Sequence, residues 1–222
     1  YEPRTHRRSL VDYFTGAFDD SPARGQPFGV NYKTGDARIS GSLASLVGLE
    51  SALESGDEAA INDSIELILL LHGMIMSFGG IPLLYYGDEI GTLNDWSFLD
   101  DESKAKDTRW MHRPNIDWEK AELRHRHGTV EQRIFGALQR MIAVRKTTTA
   151  FADYNNRVLI DTANPHLFAF LRFKPGHPVP AAASCLPQLV QAGLVPRPDQ
   201  ASFSEEDGRL VNARLIRHRP DG

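Results

Sequence analysis

One cysteine in 222 residues, Cys185, leaves no partner for an internal disulfide and no second thiolate for a metal site. A reducing compartment is compatible with that. Long apolar runs are also missing. The longest, from Ile65 to Met76, is interrupted by Glu66, His72 and Gly73, and it falls short of the roughly 20 residues that a bilayer crossing requires. It reads as a buried helix, and no membrane partner is expected. Charge of one sign is scarce as well. Lys and Arg number 25 against 29 Asp and Glu, for a net charge of −4, and the basic residues are scattered, which disfavours a phosphate-binding surface and a nucleic-acid partner. The chain opens at Tyr1 without a start methionine or a basic segment leading into an apolar one, so any export signal would precede it; a cytoplasmic location is the expectation.

What is present is a globular composition, 41% apolar and 24% charged, in a chain long enough to bury a core. Apolar residues at Leu10, Val11, Tyr13, Phe14 and Phe18 predict a short helix from Ser9 to about Gly16. Residues 23 to 41 are rich in Gly and polar side chains, as a functional loop on a rigid scaffold would be. Ser42 is placed to cap a helix through Leu43, Leu46, Val47, Leu49 and Leu53 that Gly56 ends. A second helix, Asp57 to Phe78, would face inward with Ile61, Ile65, Ile68, Leu69, His72, Ile75 and Met76, and Gly79-Gly80 stops it.

The run Ile81-Pro82-Leu83-Leu84-Tyr85-Tyr86 is continuous and apolar, the pattern of a strand buried on both faces of a parallel sheet, with Pro82 near its start. A long polar segment then reaches about Gly128, and Thr129 to Arg145 resumes a helical rhythm with Glu131, Gln132, Arg133, Gln139 and Arg140 on its solvated face. The order helix, buried strand, long loop, helix follows the βα logic of a parallel barrel or doubly wound sheet. Beyond Phe151 the pattern alternates: Arg157 to Ile160 and Leu167 to Phe173, separated by Asn164-Pro165, predict a β-hairpin. From Lys174 the hydrophobic period fades into a segment rich in Pro, Ala, Gln and Arg, for which no packed structure is expected.

The stretch Gly80-Ile81-Pro82-Leu83-Leu84-Tyr85-Tyr86-Gly87-Asp88-Glu89-Ile90-Gly91 resembles the eighth barrel strand of the α-amylase superfamily. Thr34 to Gly41, Gly91 to Trp96 and Asp107 to Pro114 are similar to segments of the amylosucrases of glycoside hydrolase family 13 in particular. The likeness covers about Tyr1 to Phe173. It implies an α/β fold: residues 1–150 as the last part of a (β/α)8 TIM barrel, 151–175 as the start of a C-terminal β-domain, and 176–222 as an atypical tail, with a shifted reading frame or a divergent end near Lys174 to Pro178.

The implied chemistry is α-glucosyl transfer from sucrose to α-1,4-glucan with release of fructose, so sucrose and glucan are the expected partners. Retention of configuration requires two carboxylates roughly 5 Å apart. In the family these, with a third acidic residue, precede the segment matched here, so the expectation is no catalytic residue in this chain and no activity from it alone. Asp88 and Glu89 do not replace them, because neighbours on a strand point to opposite faces. What the resemblance leaves is substrate recognition, for which planar guanidinium groups suit paired hydroxyls. It implies that Arg109 closes the floor of the glucose pocket by pairing with an upstream aspartate, encoded ahead of this segment. Arg38 corresponds to an acceptor-side arginine, and Arg7 to another near the pocket mouth. Ser9 departs from the family, where an aromatic is expected. Asp36 is a further substrate-binding candidate.

Plainer readings stand beside these. An arginine in an acidic loop such as Arg109 is ordinarily a surface ion pair, and Asp36 after Thr34-Gly35 is equally suited to fixing a turn. His72 on an apolar helix face reads as a core histidine. His112, His125 and His127 lack a carboxylate or thiolate at a ligating spacing, so neither metal nor cofactor is expected. Trp96 and Trp110 read as pins that hold a long loop to its scaffold rather than as sugar platforms. The rival functions are another family 13 enzyme, such as an α-amylase, sucrose hydrolase or trehalose synthase, and a non-catalytic carbohydrate-binding module.

Overall fold

The computed structural model describes residues 2–161 and 167–173; the expected tail from Lys174 onward lies outside them. The described residues fall into two compact units, one built from the chain up to Leu69 together with Leu84–Gln139, the other from Leu70–Leu83 together with the chain from Arg140 onward.

In the first unit, α1 spans Pro3–Phe14. It starts earlier than Ser9 because Glu2 caps it: its carboxylate accepts from the backbone N–H groups of Arg4 and Thr5 at 3.1 and 2.5 Å, and Pro3 occupies the first helical position, where a missing N–H costs nothing. The expected loop of residues 23 to 41 folds into an antiparallel hairpin of β1 (Gln26–Phe28) and β2 (Arg38–Ser40). Ser42 does cap the next helix, accepting from Ser45 N–H, but that helix is split into α2 (Leu43–Leu46) and α3 (Leu49–Ser55). Gly48 makes the break. It sits at φ +97°, and a Cβ there would lie 2.8 Å from Pro22, so the chain turns where only glycine fits.

Helix α4 (Glu58–Ser77) and helix α6 (Val130–Thr147) contribute to both units. By length and composition α4 is able to cross a membrane, more than its interrupted apolar run suggested. Its stripe of Ile61, Ile65, Ile68, His72 and Met76 is nevertheless buried within the protein, in keeping with the inward face read from the sequence, whereas Ile75 is exposed. On α6, Ile134, Ala137 and Leu138 are buried, and so is Glu131, contrary to the solvated position expected for it. Gly91 lies close against α3 and α6 in the first unit: a Cβ there would meet Ile134 at 2.8 Å and Leu49 at 3.3 Å. Between Gly91 and α6 the long polar segment is a chain of short turns: 3₁₀ helices at Trp96–Asp100 and Thr108–His112, then α5 (Trp118–Glu122).

The run Ile81 to Tyr86 is the main departure. It forms no strand, and Ile81 and Leu83 are each 81% exposed. A central parallel strand takes its backbone hydrogen bonds from neighbours on both edges, and the described residues offer only two-stranded antiparallel sheets. Without a ladder the run stays irregular and its apolar side chains stay uncovered.

In the second unit the expected hairpin is present as β3 (Arg157–Ile160) and β4 (Ala169–Arg172), paired antiparallel with Val158 opposite Leu171. Arginines organise this unit. Arg172 donates to Ser77 O at 2.8 Å, to Asn156 Oδ1 at 2.9 Å and to the carbonyl of Asp153; Arg145 donates to Met76 O at 2.5 Å and Gly80 O at 3.1 Å. The orphan carbonyls at the C-terminal end of α4 thus receive cationic donors, which also suit the negative end of the helix dipole. Asn156 is buried, and its side-chain amide donates to Ala150 O at 2.7 Å. Arg172→Ala is expected to lower stability by about 2–4 kcal/mol by orphaning these acceptors. Arg172→Lys should recover little, because an ammonium cannot reproduce the planar fork. Chemical denaturation of both variants checks this.

Candidate functional site

The four residues singled out in the sequence, Arg7, Asp36, Arg38 and Arg109, all lie in the first unit, around the β1–β2 hairpin. The hairpin turn closes through Asn31 N–H to Asp36 O at 2.8 Å, and the Thr34 hydroxyl accepts from Asp36 N–H at 3.3 Å. The Asp36 carboxylate is therefore left for another element: Arg7 on α1 donates to it from Nε at 3.1 Å. Asp36 thus fixes the turn through its backbone and holds a helix to it through its carboxylate. The Arg7 guanidinium beside it keeps its carboxyl below the usual range. Ser9, where an aromatic was expected, is exposed and bonds back to Thr5 O at 3.0 Å.

Register sets the next two positions. Phe28 pairs with Arg38, and Gln26 with Ser40; directly opposed residues share a face, as do residues two apart on one strand. Phe28, Arg38 and Ser40 therefore occupy one face of the hairpin. The 3₁₀ helix Thr108–His112 packs on that face: the Thr108 hydroxyl donates to Ser40 Oγ at 3.1 Å, and the Arg109 guanidinium lies over the Phe28 ring, its carbon 4.6 Å from the centroid. Arg38 thus shares a hairpin face with the phenyl ring that Arg109 covers, and Asp36, held by Arg7, lies two residues before Arg38 in the turn leading into β2.

Arg109 finds its carboxylate close by. Asp107 caps the 3₁₀ helix, accepting from Arg109 N–H at 3.1 Å, and takes the guanidinium with two parallel bonds, Nε to Oδ1 at 2.8 Å and Nη2 to Oδ2 at 2.7 Å. The side chains are 44% and 28% exposed. The carboxylate that Arg109 pairs with here is thus a local one, two residues before it. Taken alone, this pair matches the plain surface ion pair; the Phe28 contact and the neighbouring arginines set it apart.

The 3₁₀ helix is anchored from behind. Asn94 accepts from Ser42 N–H at 2.8 Å, donates to the Arg24 carbonyl, and its own N–H reaches Ser45 Oγ at 2.9 Å. Asp95 N–H then donates to Met111 O at 2.8 Å, and the Met111 side chain is fully buried. Trp96 pins the same segment, its indole N–H donating to the buried Glu50 carboxylate at 2.7 Å, the loop-holding role expected of it. The other Glu50 oxygen, Oε2, has no partner among the described residues. Trp110 is partly exposed beneath the Lys104 ammonium, 5.4 Å from the ring centroid.

Tyr85 and Tyr86 flank the end of this helix. Tyr86 donates to Pro114 O at 3.3 Å, and Tyr85 meets the His112 ring edge-on at 6.2 Å. Burial raises the Tyr86 hydroxyl pKa. Burial lowers the His112 pKa, with the charges of Arg113 and Arg109 adding to the effect. Among the described residues no three potential metal ligands cluster. Glu89 is engaged with Gly87 N–H at 2.8 Å.

Sequence reasoning missed Phe28, Asp107, Asn94 and Glu50. Phe28 carried a signal in retrospect, an aromatic in a polar loop ten residues before Arg38; buried Glu50 carried none.

The Arg109 hydrogen bonds and charge hold the Asp107 carboxyl at about 2 in the folded protein, below the ordinary aspartate value of 3.8. A depressed carboxylate contributes its stabilisation fully above the unfolded value and loses it as pH falls through the folded one. The Arg109–Asp107 pair should therefore be intact at pH 5 and release between about pH 4 and pH 2. The Asp107 carboxyl ¹³C shift, followed against pH, checks this; titration near an ordinary aspartate value would contradict it. No family model matches the chain.

Proposed function

We propose that this chain is the C-terminal part of an amylosucrase-type glucosyltransferase of glycoside hydrolase family 13, moving glucose from sucrose onto α-1,4-glucan. On this reading the chain carries the last part of the (β/α)8 barrel, the first strands of a β-domain and part of the substrate pocket, while the catalytic carboxylates come from sequence ahead of it. Arg109 shapes the donor subsite, Arg38 and Arg7 line the acceptor side, and Asp36 is a further substrate-binding residue.

One observation supports the reading: residues from three separate segments, picked for their motifs alone, lie around one small hairpin. The charge balance fits a neutral ligand. Arg7 and Arg109 each hold a paired carboxylate, which suits hydroxyl recognition better than capture of a phosphate. Guanidinium edges and a neighbouring phenyl ring are chemistry that a sugar uses, the first for vicinal hydroxyls and the second for its C–H face.

The test is the enzyme encoded by the complete reading frame, supplied with sucrose alone. Fructose release with growth of insoluble glucan is the expected result, and Arg109→Ala should reduce transfer about 10²-fold through misplacement of the glucosyl unit. Free glucose without glucan points to a hydrolase. An open frame that lacks the acidic residues, together with glucan binding and no turnover, makes the chain a binding module.

A further inference from the structure

We infer that Phe28 and Asp107 are positioning residues for Arg109, fixing the plane and the outward edge of its guanidinium before any sugar arrives. The inference rests on the sugar-facing reading of this surface, but the geometry behind it stands on its own.

A guanidinium on a flexible stem has two soft motions, rotation within its plane and tilt out of it. The two parallel bonds to Asp107, from Nε and Nη2, stop the first. The Phe28 ring beneath the guanidinium carbon stops the second. Both restraints are themselves fixed. Asp107 is tied by its own N–H to Lys104 O at 2.8 Å and by its capping bond to Arg109 N–H. Phe28 is held by its register with Arg38, on the same hairpin face that Thr108 grips through Ser40.

Asp107 uses the Nε and Nη2 donors, so the Nη1 side of the group lies outside the pair. That side presents fixed N–H donors, and their spacing suits adjacent hydroxyl oxygens of a neutral sugar. Asp107 and Phe28 touch no reacting atom in this scheme; they act through Arg109.

The test is the Arg109 Nε–Hε resonance of the whole chain, measured without sugar. In the unmodified protein the ring current of Phe28 should displace it from the free-arginine position, and its exchange with water should be slowed. Phe28→Leu is expected to abolish the displacement and speed exchange about 2- to 5-fold, the factor that an exposed cation–π contact corresponds to. Phe28→Tyr, which keeps the ring, should restore both. Asp107→Asn should keep the displacement and speed exchange. A free-arginine position in the unmodified chain overturns the inference whether or not any variant folds, and so does an unchanged resonance in folded Phe28→Leu. Because no sugar enters this measurement, a restrained Arg109 on a protein that fails to bind glucan would sink the functional reading and leave the positioning role standing.

Discussion

An arginine side chain on a protein surface is ordinarily one of the freest groups in the molecule, and recognition by it then carries the entropic cost of stopping its motion. At Arg109 that cost is met in advance, by a carboxylate along one edge and a phenyl ring under one face. The rest of the candidate site is arranged around this contact. Arg38 is opposite the same ring by strand register, and the Arg7–Asp36 pair ties α1 to the turn that leads into β2.

Ion pairs exposed to this degree stabilise a fold by only about 0–1 kcal/mol each, so the pairs themselves do not hold the site together. Backbone anchoring does. Asn94 joins two groups of the α2 region, Ser42 N–H and Ser45 Oγ, to the Arg24 carbonyl, Asp95 grips Met111 O, and the buried Met111 side chain seats the 3₁₀ helix from the core side. A rigid support carrying weakly stabilising charged groups is what a recognition surface requires, since the charges are then placed at little expense to stability. The second unit uses arginine differently. There Arg145 and Arg172 donate to the carbonyls at the end of α4, Arg172 from within β4.

Local physics was legible in the sequence wherever a short rule applies. Ser42 as a cap, the stop at Gly56, the buried stripe of α4 and the β3–β4 hairpin each follow from one or two residues and a periodicity. The misses arise where partners decide. Glu2 is an unusual helix cap, so α1 was read as starting late. Glu131 and Glu50 are buried against the trend for carboxylates, and no periodicity announces that. Ile81 to Tyr86 has the composition of a central strand, but composition supplies only one side of a ladder, and among the described residues no strand pairs with it. For the site, motif likeness located the arginines, while the side chains that hold Arg109, Phe28 and Asp107, meet it by tertiary contact and by a two-residue local bond.

The central claim is that the β1–β2 hairpin face and the 3₁₀ helix Thr108–His112 form one sugar-facing surface. Titrating the chain with a linear maltooligosaccharide at millimolar concentration, while following backbone and arginine side-chain NMR signals, addresses it most directly. The account predicts saturable shifts centred on Phe28, Asp36, Arg38 and Arg109. Undisturbed signals at all four, or changes centred on a different part of the chain, would contradict it.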